Sequence, residues 1–161
     1  RQKGQHVEDS IETEIDITID AYIPATYVKN ELQKLDLYKR ISGIGSEEAY
    51  EDMIDEMVDR YGDMPMPVKN LLHIALLKEK AKEAFIVSKK QKGNSISFVM
   101  NPNAKVQVER IDEFLKKYRN RMKLKMQTVP TFMLDISGEK KNQLLKCVES
   151  VIHGINTLLE K

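Results

Sequence analysis

Glu56, Asp59 and Arg60 stand at i, i+3 and i+4 within "IDEMVDRYGDMPMP", residues 54 to 67. A helix there projects all three side chains from one side. Carboxylates grouped in this way can exchange protons with a substrate, hold a metal ion or meet the arginines of a partner. Acid–base work calls for a cleft in which burial or like-charge crowding displaces a pKa, and a solvent-facing helix supplies no cleft. Two readings are then open on chemistry alone. In one, Glu56 and Arg60 form a surface pair worth about 0.3–0.5 kcal/mol and the other acids solubilise the face. In the other, an arginine between carboxylates exchanges bidentate hydrogen bonds with a partner carrying the opposite pattern.

The rest of the chain adds little chemistry. His6, His73 and His153 are far apart, and none is paired with a second ligand-type residue at the short spacing that marks zinc sites. "SGIGS" offers two glycines without the lysine of a phosphate loop, and there is no Gly-x-Ser-x-Gly elbow. Cys147 lies among Leu144, Leu145 and Val148, where a thiol is expected to be buried and inert. No catalytic residue, cofactor site or metal site is therefore expected.

The elements that position these residues follow from periodicity. "IETEIDITI", residues 11–19, alternates Ile11, Ile15, Ile17 and Ile19 against Glu12, Glu14, Asp16 and Thr18, a half-buried strand. After Pro24, Val28, Leu32, Leu35 and Tyr38 keep helical spacing, with Thr26 as the expected N-cap. A second helix over about 47–61 is capped by Ser46 and closed by Gly62. It directs Tyr50, Met53, Ile54, Met57, Val58 and Tyr61 inward and Asp52, Glu56, Asp59 and Arg60 outward. A third runs over 67–84. Then come a hairpin ("AFIVSK", "SISFVM"), a helix over about 103–119 using Val108, Ile111, Leu115 and Tyr118, and a strand pair ("RMKLKMQT", "TFMLDIS") turning near Pro130. A last helix covers about 139–159. The order implies an α+β fold, a helical N-terminal half followed by a small, mainly antiparallel sheet with two further helices.

At 161 residues the chain is long enough for one domain with its own core, expected over 11–161 after a polar linker at 1–10. Its 26 basic and 25 acidic residues give no overall pull toward nucleic acid or an anionic membrane. A single cysteine and no membrane-length apolar run point to a reduced, cytoplasmic setting. Because the first residue is Arg1, a piece of a longer protein is expected. Charge does segregate locally. Residues 47–63 hold eight acids against Arg60, and residues 105–125 hold eight bases against three acids. The segment Arg110–Lys125 is thus a candidate accessory nucleic-acid interface, although Lys123 and Lys125 equally suit a lysine-protected edge strand.

Several stretches resemble the C-terminal domain of the bacterial transcription-repair coupling factors, the Mfd family. They are the opening Asp-Ala-Tyr-Ile-Pro, the helix Leu-x-x-Tyr-Lys-Arg-Ile, the helix end Asp-Arg-Tyr-Gly-x-x-Pro, and Leu-Leu-x-x-Ala-x-Leu, together spanning about Ile17 to Ala84. The resemblance implies a non-catalytic regulatory domain of a protein that also carries an ATP-driven double-stranded-DNA translocase acting on stalled RNA polymerase. It implies docking on the parent's own UvrB-like module, which masks UvrA binding and restrains the motor until polymerase is engaged. Glu56, Asp59 and Arg60 match the family's contact positions. No ATP, DNA or metal ligand is implied within this segment.

Overall fold

In the computed structural model, which describes residues 14–126 and 128–160, Asn30 opens the first helix. Its side chain accepts a hydrogen bond from the Gln33 amide at 2.9 Å, satisfying one of the donors a helix start leaves unpaired. The expected linker and Ile11 lie outside the described residues. The chain divides into two compact units, Thr18–Glu79 and a second formed by the residues up to Ile17 together with Lys80 onward.

The first unit is helical: α1 (Glu31–Ser42), α2 (Glu47–Tyr61) and most of α3 (Met66–Glu83). Its core gathers Ile23, Val28, Leu37, Ile41, Ile44, Met53, Met57, Val68 and Leu72. Two expectations for α1 are corrected. Thr26 does not cap the helix, because the amides of Tyr27 and Val28 both donate to the Pro24 carbonyl and make a turn there. Leu32 and Leu35, expected on the core stripe, are 78% and 59% exposed. The buried face carries Leu37 and Ile41, one turn apart, and Val28 reaches the core from outside the helix. Leu32 and Leu35 thus had the right spacing in the wrong phase, whereas Val28 and Tyr38 do pack into the core.

The second unit is built on a five-stranded sheet: β1 (Glu14–Asp16), β2 (Ile86–Lys92), β3 (Ser95–Met100), β4 (Met122–Met126) and β5 (Pro130–Asp135), in the order β1-β2-β3-β5-β4. β1 ends at Asp16, three residues before the expected end of that strand, and pairs parallel with β2, and the other four strands are antiparallel. Past its end the alternation persists, with Ile17 and Ile19 half-buried between exposed neighbours. Gly93, at φ +61°, makes the β2–β3 turn in a region glycine enters without steric penalty.

Strand alternation gives the sheet two different faces. One presents Ile86, Ile96, Phe98, Met100, Met122, Phe132 and Leu134, all buried. Against it packs α4 (Ile111–Tyr118), whose Phe114 ring meets Phe132 edge-on at 5.4 Å between centroids. Burial of each such aromatic contributes about 1.5–3 kcal/mol. Helix α5 (Leu144–Thr157) buries Leu144, Leu145, Val148, Val151, Ile152 and Ile155.

The helix expected over 103–119 is corrected to α4 preceded by a single 3-10 turn at Val108–Arg110, and Val108 is 74% exposed. Residues before it have other hydrogen bonds to make. The Gln107 amide donates to the Leu158 carbonyl at 2.7 Å, and the Glu160 amide to the Lys105 carbonyl at 2.9 Å. This extended pairing consumes groups that a longer helix would need, and it also ends α5.

Candidate functional site

Helix α2 takes its boundaries from the sequence signals. The Ser46 hydroxyl accepts from the Ala49 amide at 3.0 Å, and Glu47 and Glu48 occupy the first turn, where the helix dipole favours negative charge. Gly62 ends it at φ +88°, a conformation open to glycine. Met53 and Met57 are buried and Tyr61 packs its ring 5.7 Å from that of Tyr27, whereas Val58, expected inside, is 39% exposed. The Tyr27 hydroxyl donates to the Gly62 carbonyl at 2.8 Å, pinning the helix end.

Glu56, Asp59 and Arg60 do lie on one outward side of α2, but they are not equivalent. The Glu56 carboxylate is held by Arg40 of α1, whose Nη1 donates to Oε2 at 2.7 Å while Nη2 donates to Oε1. The Arg40 hydrogen bonds hold the Glu56 carboxyl below its ordinary value, and the same bonds raise the Arg40 guanidinium. Arg60 Nη1 approaches the same Oε2 of Glu56 at 3.5 Å, and its guanidinium carbon sits 5.2 Å from the centroid of the Tyr61 ring. Asp59 is exposed and has no ion-pair partner among the described residues.

The result is a graded site. Arg40 fixes Glu56, Glu56 and Tyr61 orient Arg60, and Arg60 and Asp59 present opposite charges to solvent. Arg40 was not visible as part of this site from spacing alone. Its one local signal was a cation in the last turn of its helix, which dipole complementarity explains equally well.

The basic segment 110–125 is dispersed by the fold. Arg110 donates to the Thr157 carbonyl at 2.7 Å, and Arg121 pairs with Glu139 at 2.8 Å and donates to the Asp135 carbonyl at 3.2 Å. Lys116 and Lys117 lie on α4, while Lys123 and Lys125 are exposed on β4, which is an edge strand. Cys147 is half-buried, and burial, helped by Glu139, raises its thiol, which opposes a nucleophilic role. Among the described residues no three His, Cys, Asp or Glu side chains converge as metal ligands, and no helix is long and apolar enough to cross a membrane.

Comparison with known proteins gives these features a context. The model of the TRCF domain family matches residues 17–111. The chain is 33% identical over 147 residues to a Staphylococcus aureus transcription-repair-coupling factor, covering 86% of this chain and 12% of that protein. To its Bacillus subtilis counterpart it is 28% identical over 150 residues, covering 91% of this chain and 13% of that protein. The chain thus spans roughly a tenth of the length of these relatives. In fold it is similar to the crystal structure of the C-terminal domain of transcription-repair coupling factor, with a TM-score of 0.77, 23% identity, and coverage of 91% of this chain and 93% of that one. The family match begins at Ile17, where the sequence resemblance begins, and extends past Ala84 into the sheet; the chain belongs to the TRCF domain family.

Proposed function

We propose that this domain is a non-catalytic regulatory module that docks through α2 onto the UvrB-like module of its parent transcription-repair coupling factor. Docking masks UvrA binding and restrains the DNA translocase until RNA polymerase is engaged. The observation that carries this reading is the chain of restraint running from Arg40 through Glu56 to Arg60, which leaves an oriented guanidinium beside the exposed Asp59. A partner presenting a carboxylate to Arg60 and a cation to Asp59 meets side chains already partly ordered, which reduces the entropy lost on contact.

A charged, part-exposed face also suits a contact that must be released. An activating partner can open a closed state only by as much as its own affinity differs between closed and open forms. A large apolar interface would exceed that reach, whereas a few rim-type charge contacts lie within it.

The reading is tested by hydrogen exchange on the 161-residue chain with and without the UvrB-like module added in trans. Slowed exchange confined to residues 47–67 is the expected result. Unchanged exchange there, with the module present in excess, overturns the assignment of α2.

A further inference from the structure

We propose that the outward face of the sheet binds the two phosphate backbones of a nucleic-acid duplex, without reading its sequence. The strand register lays out the evidence. Lys90 of β2, Ser97 of β3, Met133 of β5 and Lys123 of β4 stand side by side in one row across the sheet. The neighbouring row runs from Lys92 through Ser95 to Asp135, and the row on the other side runs from Ser88 through Val99 and Thr131 to Lys125. Lysines therefore stand on β2 and on β4, with Ser95, Ser97 and Thr131 between them alongside Val99, Met133 and Asp135.

Three strand spacings separate the β2 and β4 lysines, about 14 Å at the backbone. The major groove that divides the two backbones of a B-form duplex is about 12 Å wide. Lys90, Lys92, Lys123 and Lys125 are all exposed, so their flexible stems can close the remaining difference. A shallow groove of about 450 Å³, bordered by Asn94, Ser95, Asn120, Arg121, Lys123 and Lys125, opens on the β4 side. Its amides and hydroxyl add donors suited to phosphate oxygens.

The described residues of this face include no aromatic ring, so it offers no stacking platform for unpaired bases. Three acidic residues stand in these rows and temper the charge: Asp135 lies beside Arg121 and Lys123, and Glu14 and Asp16 of β1 are in register with Ser88 and Lys90. Three to four phosphate contacts are therefore expected.

The test titrates the whole chain with a fluorescently labelled 20-base-pair duplex between 50 and 200 mM salt. Three to four contacts give a log–log slope of about −2.7 to −3.6, a loss of about 40- to 150-fold across that range. Lys123→Gln/Lys125→Gln should reduce the slope by about 1.8, to a loss of about 4- to 12-fold, and Lys90→Gln/Lys92→Gln should act in the same sense. Lys116→Gln/Lys117→Gln, on α4, should leave the slope within about 0.5 of wild type. No binding at 50 mM salt, or a slope indifferent to Lys123 and Lys125, overturns the proposal. Equal binding of polyglutamate through the same lysines also overturns it and assigns the face to an acidic protein.

Discussion

Arg40 and Glu56 join α1 to α2 through two parallel hydrogen bonds, and this pair makes Glu56 a structural residue before it is a docking one. Both side chains are more than a third exposed, at 38% and 35%, so solvent screening keeps the pair to about 0.5–1 kcal/mol even with bidentate geometry. The Glu56 carboxyl is held below its ordinary value. Its contribution is therefore present above the ordinary carboxylate range and disappears as pH falls through the lowered value. Urea unfolding should show Glu56→Gln destabilised at pH 7, with the difference from wild type shrinking as pH falls below the ordinary carboxylate range. Arg40 is raised further from an already high value, so it adds no dependence in that interval.

Asp59 should behave differently from Glu56. Asp59→Asn changes one exposed side chain and should shift folding stability by no more than about 0.5 kcal/mol. Glu56→Arg places a third cation between Arg40 and Arg60 and should cost on the order of 1 kcal/mol, because a stabilising pair becomes a repulsion. Chemical denaturation of the two variants separates these outcomes. Equal destabilisation by both would show that Asp59 is tied into the fold.

Gly154, in the middle of α5, is set by a close approach rather than by backbone conformation. A Cβ added there meets Cε1 of Phe114 at 2.5 Å. That ring is wedged edge-on between Tyr118 and Phe132, each at 5.4 Å between centroids, and cannot swing away freely. Gly154→Ala gains about 1 kcal/mol of helix propensity but incurs overpacking of about 1–3 kcal/mol. A net loss of up to about 2 kcal/mol is expected in thermal or urea unfolding. A stabilised variant would mean that Phe114 repacks at no cost.

Gly62 closes α2 at φ +88° and ψ −166°, a region that is essentially glycine's alone. Nothing lies within 4 Å of an added Cβ, so any penalty is backbone strain rather than collision. Gly62→Ala should cost about 1–3 kcal/mol in unfolding experiments. Because Tyr27 donates to the Gly62 carbonyl, faster amide exchange in the last turn of α2 should accompany it.

The sequence exposed α2 almost completely because its signals were local and agreed with one another. Ser46 caps it, Gly62 ends it, and Met53 and Met57 mark its buried side. Helix α1 was harder to read. Leu32 and Leu35 had helical spacing but face solvent, and only the packing of Leu37 and Ile41 decides the phase. The start of α4 was hidden for a different reason. The hydrogen bonds that keep residues 105–107 extended come from Leu158 and Glu160, about fifty positions away. Within the candidate site, spacing grouped Glu56, Asp59 and Arg60 correctly. It could not show that Arg40, on another helix, holds Glu56 in place.

The docking role of α2 is tested most directly by UvrA affinity in the full-length factor carrying Asp59→Arg/Arg60→Glu. Loss of a clamp with ordinary coupling of about 1–3 kcal/mol should tighten UvrA binding at least about fivefold and raise basal ATPase activity with it. UvrA affinity equal to that of the wild-type factor, in a variant whose folding is intact, would contradict it.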